Sequence, residues 1–139
     1  MRILIDTTLL IEAERRRFDL ASWGEDLEEC WICDAGITEF MAGEPAKDVH
    51  QIRRFHETWE SQISLLPSVG LTREICEQAG RLISAARRRG YPVNLGDGLH
   101  AAAAQSQGLT VATADTDHFR HLGVPCFNPL EQPSVQAST

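Results

Sequence analysis

The chain has 139 residues and a formal net charge of -7, from 13 basic and 20 acidic residues. That length fits one domain burying roughly two-thirds of its unfolded surface without disulfide staples. The acidic balance argues against gripping nucleic acid by bulk positive charge, but not against bound cations or a small basic patch.

Residues 2–5 read as a short apolar strand, and Asp6 follows at once. Thr7, Thr8, Leu9, Leu10 and Ile11 lead into a helix that ends in Arg15–Arg17. A second helix is expected over residues 18–29, with Leu20, Trp23 and Leu27 on one face. Residues 31–33 form a second short strand. Asp34 and Gly36 then open a helix over residues 37–43, which carries Glu39 in its first turns. Residues 47–62 give a longer helix, with Val49, Ile52, Phe55 and Trp59 at the spacing of a packing face. A third strand is expected at residues 64–66. Residues 71–89 form an amphipathic helix with Ile75, Ala79, Leu82, Ile83 and Ala86 inward, closed by Gly90 and Pro92.

The stretch from Asn94 to Asp117 is the most informative. Asn94 can cap a helix, which puts Asp97 in its first turn. Leu99, Ala102, Ala103 and Ala104 make that helix apolar and slim, and Gly108 is placed to end it. Residues 109–113 are a buried-strand candidate. Asp115 and Asp117 follow, then a short helix or turn over residues 118–122 and a last strand at 124–127. The domain is expected to cover residues 1–130, with 131–139 as a flexible C-terminal tail. Strands alternating with helices give an α/β domain with a mainly parallel central sheet.

Cys30 and Cys33 have zinc-like spacing, but no second pair and no spaced histidine pair follows. On a strand, side chains three apart point to opposite faces. The cysteines therefore read as free thiols in a reducing cytosol. No secretory signal and no apolar run long enough for a bilayer is present, so a cytoplasmic location is expected.

Four acids occupy equivalent places. Asp6 follows the first strand, Glu39 lies in the helix after the second, Asp97 opens the alanine-rich helix, and Asp115 follows the next strand. In parallel sheets, sites form outside the carboxyl ends of the strands. Gathered there, four carboxylates would raise one another's pKa unless a cation neutralised them. Mg²⁺ or Mn²⁺ prefers oxygen ligands and suits phosphodiester hydrolysis. Each acid also has an ordinary structural reading. Asp97 with Asn94 resembles a capping pair, Asp6 could cap the first helix, Glu39 could be solvated, and Asp115 could belong to a turn. Four caps have no reason to share one rim.

Four segments carry a resemblance: ILIDTTLLI at the start, ITEFMAG in the middle, GDGLHAAAA, and GLTVATADTDHF running through VPCFNP. In their order and spacing the chain resembles a PIN-domain ribonuclease of the VapC toxin type, from toxin–antitoxin pairs. The resemblance covers Met1 to about Leu130. It implies a three-layer α/β/α fold. It implies four catalytic acids at Asp6, Glu39, Asp97 and Asp115, with Asp6, Asp97 and Asp115 as ligands of Mg²⁺ or Mn²⁺. Thr7 and Thr113 match hydroxyl residues beside those acids, and Asp117 is a possible extra acid. His118 and Phe119 match the start of a short helix that packs rather than reacts. His100 reads as a surface or satisfied core histidine sooner than a cleft residue.

The resemblance further implies an endoribonuclease toxin that cuts structured RNA such as tRNA or a ribosomal RNA loop. An antitoxin protein partner, a homodimer, and DNA binding only through the antitoxin go with it. Two other readings stay open: a catalytically silent PIN-like interaction module, and a receiver-like or phosphatase-like domain. The latter lacks a well-placed lysine, since Lys47 is the only one in the chain.

Overall fold

The computed structural model describes residues 1–131. The expected tail at 131–139 therefore lies, beyond its first residue, outside the described residues. Five strands, β1 (Arg2–Ile5), β2 (Glu29–Cys33), β3 (Ser68–Val69), β4 (Thr110–Ala112) and β5 (Cys126–Phe127), form one all-parallel sheet in the order β3-β2-β1-β4-β5. Seven α-helices accompany them: α1 (Thr7–Glu14), α2 (Leu20–Gly24), α3 (Asp34–Ala42), α4 (Val49–Thr58), α5 (Arg73–Arg88), α6 (Leu95–Gln107) and α7 (Thr116–His121).

Alternation along the strands divides the core. Leu4, Cys33 and Val111 face one layer, with Ile75, Ala79 and Ile83 of α5, Ala101–Ala104 of α6 and Phe119 of α7. Ile3, Ile5, Ile32 and Ala112 face the other, with Leu9, Leu10, Leu20, Phe40 and Phe55 from α1 to α4. Parallel strands covered on both faces read as apolar runs for this reason. The result is the expected three-layer α/β/α arrangement.

Asn94 caps α6, its Oδ1 accepting from the Asp97 N–H at 2.8 Å, and Gly108 closes that helix at φ 65°. Both match the sequence signals. Cys30 packs in one core layer and Cys33 in the other, and both are free thiols. Burial pushes the Cys30 thiol up to about 11 and raises Cys33 as well, so neither is a reactive thiolate.

Three elements depart from expectation. The helix expected over 18–29 is confined to α2, because Glu29 enters β2 and pairs in register with Arg2. Leu20, Trp23 and Leu27 still pack together into the second layer. The strand expected at 64–66 instead lies at Ser68–Val69. After α4 the chain makes a π-helical turn, Trp59–Ile63, which seats Ile63 in the core. Pro67 then opens the ladder, its carbonyl accepting from the Ile32 N–H at 2.9 Å. Proline lacks a donor but can begin a strand this way. The helix expected from Ile37 starts earlier, at Asp34.

Candidate active site

From β1 the chain adds strands on one side, then returns to place β4 on the other. The crevice between the carboxyl ends of β1 and β4 is the topological switch point, where doubly wound sheets form their sites. Helices run back against the strands, so the first turns of α3 and α6 reach the same edge.

Asp6 follows β1 and is buried, 3% exposed. Thr8 Oγ1 and Thr113 Oγ1 each donate to Asp6 Oδ2 at 2.8 Å. A hydroxyl has one proton, so each oxygen is left to accept. Thr8 Oγ1 accepts from the Ala114 N–H and Thr113 Oγ1 from the Asp115 N–H, both at 2.9 Å. The two hydroxyls thus tie the ends of β1 and β4 together and orient Asp6. Among the described residues, Asp6 Oδ1 has no hydrogen bond; His100 Nε2, at 3.9 Å, is beyond reach.

Glu39 is exposed on α3, and its Oε1 accepts from Thr7 Oγ1 at 2.6 Å. Its Oε2 lies over Gly96, where a Cβ would overlap it. The missing side chain at Gly96 is what lets the first turn of α6 approach the α3 carboxylate.

Asp97 has a side chain only 15% exposed. Burial first, then the charge of Asp6, pushes its carboxyl above the ordinary aspartate range, against the opposing pull of His118. His118 Nδ1 lies 2.7 Å from Asp97 Oδ2 and 3.4 Å from Asp115 Oδ2. The closer contact is at ion-pair distance but off the angle of a good hydrogen bond. Phe119 is fully buried, as expected of a packing residue, while His118 turns toward the acids instead.

The fold therefore brings Asp6, Asp97 and Asp115 to one crevice, with Glu39 beside them through Thr7. Asp117 pairs with Arg120 at 3.0 Å on the exposed side of α7. Sequence reasoning gave Thr8 no place at the site and read His118 as part of a helix that packs rather than reacts. The doubled threonine after Asp6 is the only sequence signal for Thr8.

As the side chains stand, no three of the described His, Cys, Asp and Glu residues converge on one point to hold an ion. The donor chemistry nonetheless fits a hard divalent cation. Carboxylate oxygens predominate, Asp6 Oδ1 meets only His100 Nε2 at 3.9 Å, and burial and then the charge of Asp6 raise Asp97. A cation between them would remove that repulsion.

A family model described as the PIN domain matches residues 3–125. Plasmid stability protein StbB of Pseudomonas syringae pv. tomato is 30% identical over 142 residues, covering 93% of this chain and 99% of that protein. The solved structure of FitAcB from Neisseria gonorrhoeae aligns at a TM-score of 0.72 and 25% identity, over 94% of this chain and 99% of that one. DNA-bound VapBC from Salmonella typhimurium shares the fold, at a TM-score of 0.77 and 21% identity, over 92% and 98% of the two chains.

Proposed function

We propose that this chain, which belongs to the PIN-domain family, is a Mg²⁺- or Mn²⁺-dependent endoribonuclease and the toxin of a toxin–antitoxin pair. The observation that carries this reading is the carboxylate crevice at the switch point, where burial and Asp6 together push Asp97 up. In this reading Asp6, Asp97 and Asp115 hold the cation, and Glu39 helps hold it or a second ion. When bound, such an ion lowers the pKa of a coordinated water and neutralises charge on a phosphodiester.

The chain's own residues set the geometry. Thr8 and Thr113 bond Oδ2 of Asp6 and leave Oδ1 open to the crevice. Thr7 steadies Glu39. His118 rests against Asp97 and Asp115. No role at the ion is assigned to Asp117. Hydrolysis would leave 5′-phosphate and 3′-hydroxyl ends.

The substrate class is structured RNA, such as tRNA or a ribosomal RNA loop, which is read by shape and unstacked bases more than by bulk charge. A homodimer would pool the arginines at 15–17, 53–54 and 87–89. The partner is an antitoxin protein that presents an arginine to the carboxylates and carries the DNA binding. No helix among the described residues is long and apolar enough to cross a membrane, which agrees with work in the cytoplasm.

A second reading, a catalytically silent interaction module, draws on His118 standing between Asp97 and Asp115. Purified protein incubated with total RNA decides between them, with Mg²⁺, with Mn²⁺ and with chelator, beside Asp6→Asn and Asp97→Asn. Discrete metal-dependent cuts that vanish in both variants support the nuclease. Cuts that persist in the variants sink the site assignment. Bound metal without cleavage of any RNA favours the silent module.

A further inference from the structure

Three buried side-chain polar atoms among the described residues lack a hydrogen-bond partner: Thr58 Oγ1, Asp97 Oδ2 and His100 Nε2. Two of the three belong to one turn of α6. Residues three apart share a helix face, so His100 lies next to Asp97 on the side that meets the crevice.

His100 is completely buried. Its Nδ1 lies 2.8 Å from the Gly96 carbonyl, which can only accept, so Nδ1 carries the ring proton. In the neutral ring that leaves a lone pair on Nε2. The lone pair faces Asp6 Oδ1 at 3.9 Å, and Nε2 has no hydrogen-bond partner. With the ring neutral these are two acceptors facing each other across a small gap, whereas a protonated ring would make the same contact a long ion pair. Gly36 of α3 lies against the ring, where a Cβ would stand 3.0 Å from Nε2 and 3.5 Å from Thr7 Oγ1.

A ligating histidine shares this feature. Such residues donate one ring N–H to a carbonyl or carboxylate, which fixes the tautomer and aims the other nitrogen. Two ligands each about 2.1 Å from one ion can stand up to about 4.2 Å apart. The observed 3.9 Å is within that span.

We propose that His100 supplies a nitrogen donor to the ion site of Asp6 and Asp97, and so tilts the site from Mg²⁺ toward Mn²⁺ and later transition ions. The inference rests on the reading of the acids as an ion site and adds its selectivity. Mg²⁺ keeps oxygen ligands and water, whereas affinity of mixed nitrogen and oxygen sites climbs along the transition series that starts at Mn²⁺.

Pulsed electron paramagnetic resonance of the Mn²⁺-loaded full chain tests this, with and without [¹⁵N]histidine. Wild type needs no substitution and shows an imidazole nitrogen coupled directly to Mn²⁺. His118→Gln separates the two nearby histidines and keeps the coupling. His100→Asn loses it. Gly36→Ala retains His100 but crowds its Nε2, and it weakens the coupling. In both of the last two variants Mn²⁺ affinity falls by about tenfold or more, the usual scale for a support of a metal site, while Mg²⁺ affinity changes by less than about threefold. Mn²⁺ bound without any histidine coupling, yet lost in Asp6→Asn, would overturn the role of His100 and leave the ion site standing. Coupling lost in His118→Gln instead would overturn it equally. A wild-type chain that binds no Mn²⁺ would overturn both.

Discussion

Replacing Thr113 by valine keeps the side-chain volume and removes one oxygen. That oxygen is fully buried, donates to Asp6 Oδ2 at 2.8 Å and accepts from the Asp115 N–H at 2.9 Å. A hydrogen bond to a charged group contributes about 1.5–3 kcal/mol, and a stranded buried partner costs about 1 kcal/mol or more. Asp6 keeps its bond to Thr8, so a loss of about 2–3 kcal/mol is expected. With an unfolding entropy of about 2.1 cal/mol/K per residue, the 139-residue chain changes by about 0.3 kcal/mol per degree. The melting temperature of Thr113→Val should therefore fall by about 7–10 °C. Thermal and urea unfolding in chelator, on wild type, Thr113→Val, Asp6→Asn and the double variant, measure the loss and its coupling. The two changes should be non-additive by about 1 kcal/mol or more, because they remove one interaction. A shift under about 2 °C, or simple additivity, would refute the view that Thr113 holds Asp6.

Three further outcomes are expected. A divalent ion at about one hundred times its dissociation constant adds about 2.7 kcal/mol, or about 9 °C by the same conversion; differential scanning fluorimetry should find this in wild type and not in Asp6→Asn. The Asp97 carboxyl titrates higher in the fold than when unfolded. Its ionised form is thus disfavoured, and stability is lost as pH rises from the ordinary aspartate value through the raised one. In chelator, Asp97→Asn should be more stable than wild type at pH 7, and the gap should close as the pH falls below the ordinary aspartate range; a constant gap would contradict the repulsion. Finally, a Cβ at Gly98 would collide with the Ile83 side chain of α5. Gly98→Ala should cost about 1–3 kcal/mol, read by urea denaturation, and Ile83→Val should recover part of it.

Much of this protein is legible locally. Asn94 and Gly108 mark α6 because caps are short-range hydrogen-bond chemistry. Apolar runs at residues 2–5 and 109–113 announce buried strands because their neighbours need only be apolar. Asp6 and Asp115 follow strands and Asp97 opens α6 as read locally, while Glu39, with α3 starting at Asp34, lies in its second turn. Where those signals are weak, local reading slips. Residues 64–66 looked like a strand, yet the π-helical turn that buries Ile63 delays the ladder to Pro67.

What only the tertiary structure decided is who meets whom. The order β3-β2-β1-β4-β5 puts β4 beside β1, and no local pattern states a strand order. That order brings Thr8 and Thr113, 105 positions apart, onto one oxygen of Asp6. The close seating of α6, possible because Gly96 and Gly98 carry no side chains, turns His100 inward toward Asp6 and sets Asp97 under His118. Hydrophobic periodicity specifies which face of each element is buried. Which polar atoms are left facing each other there follows only once the helices have been packed on the sheet.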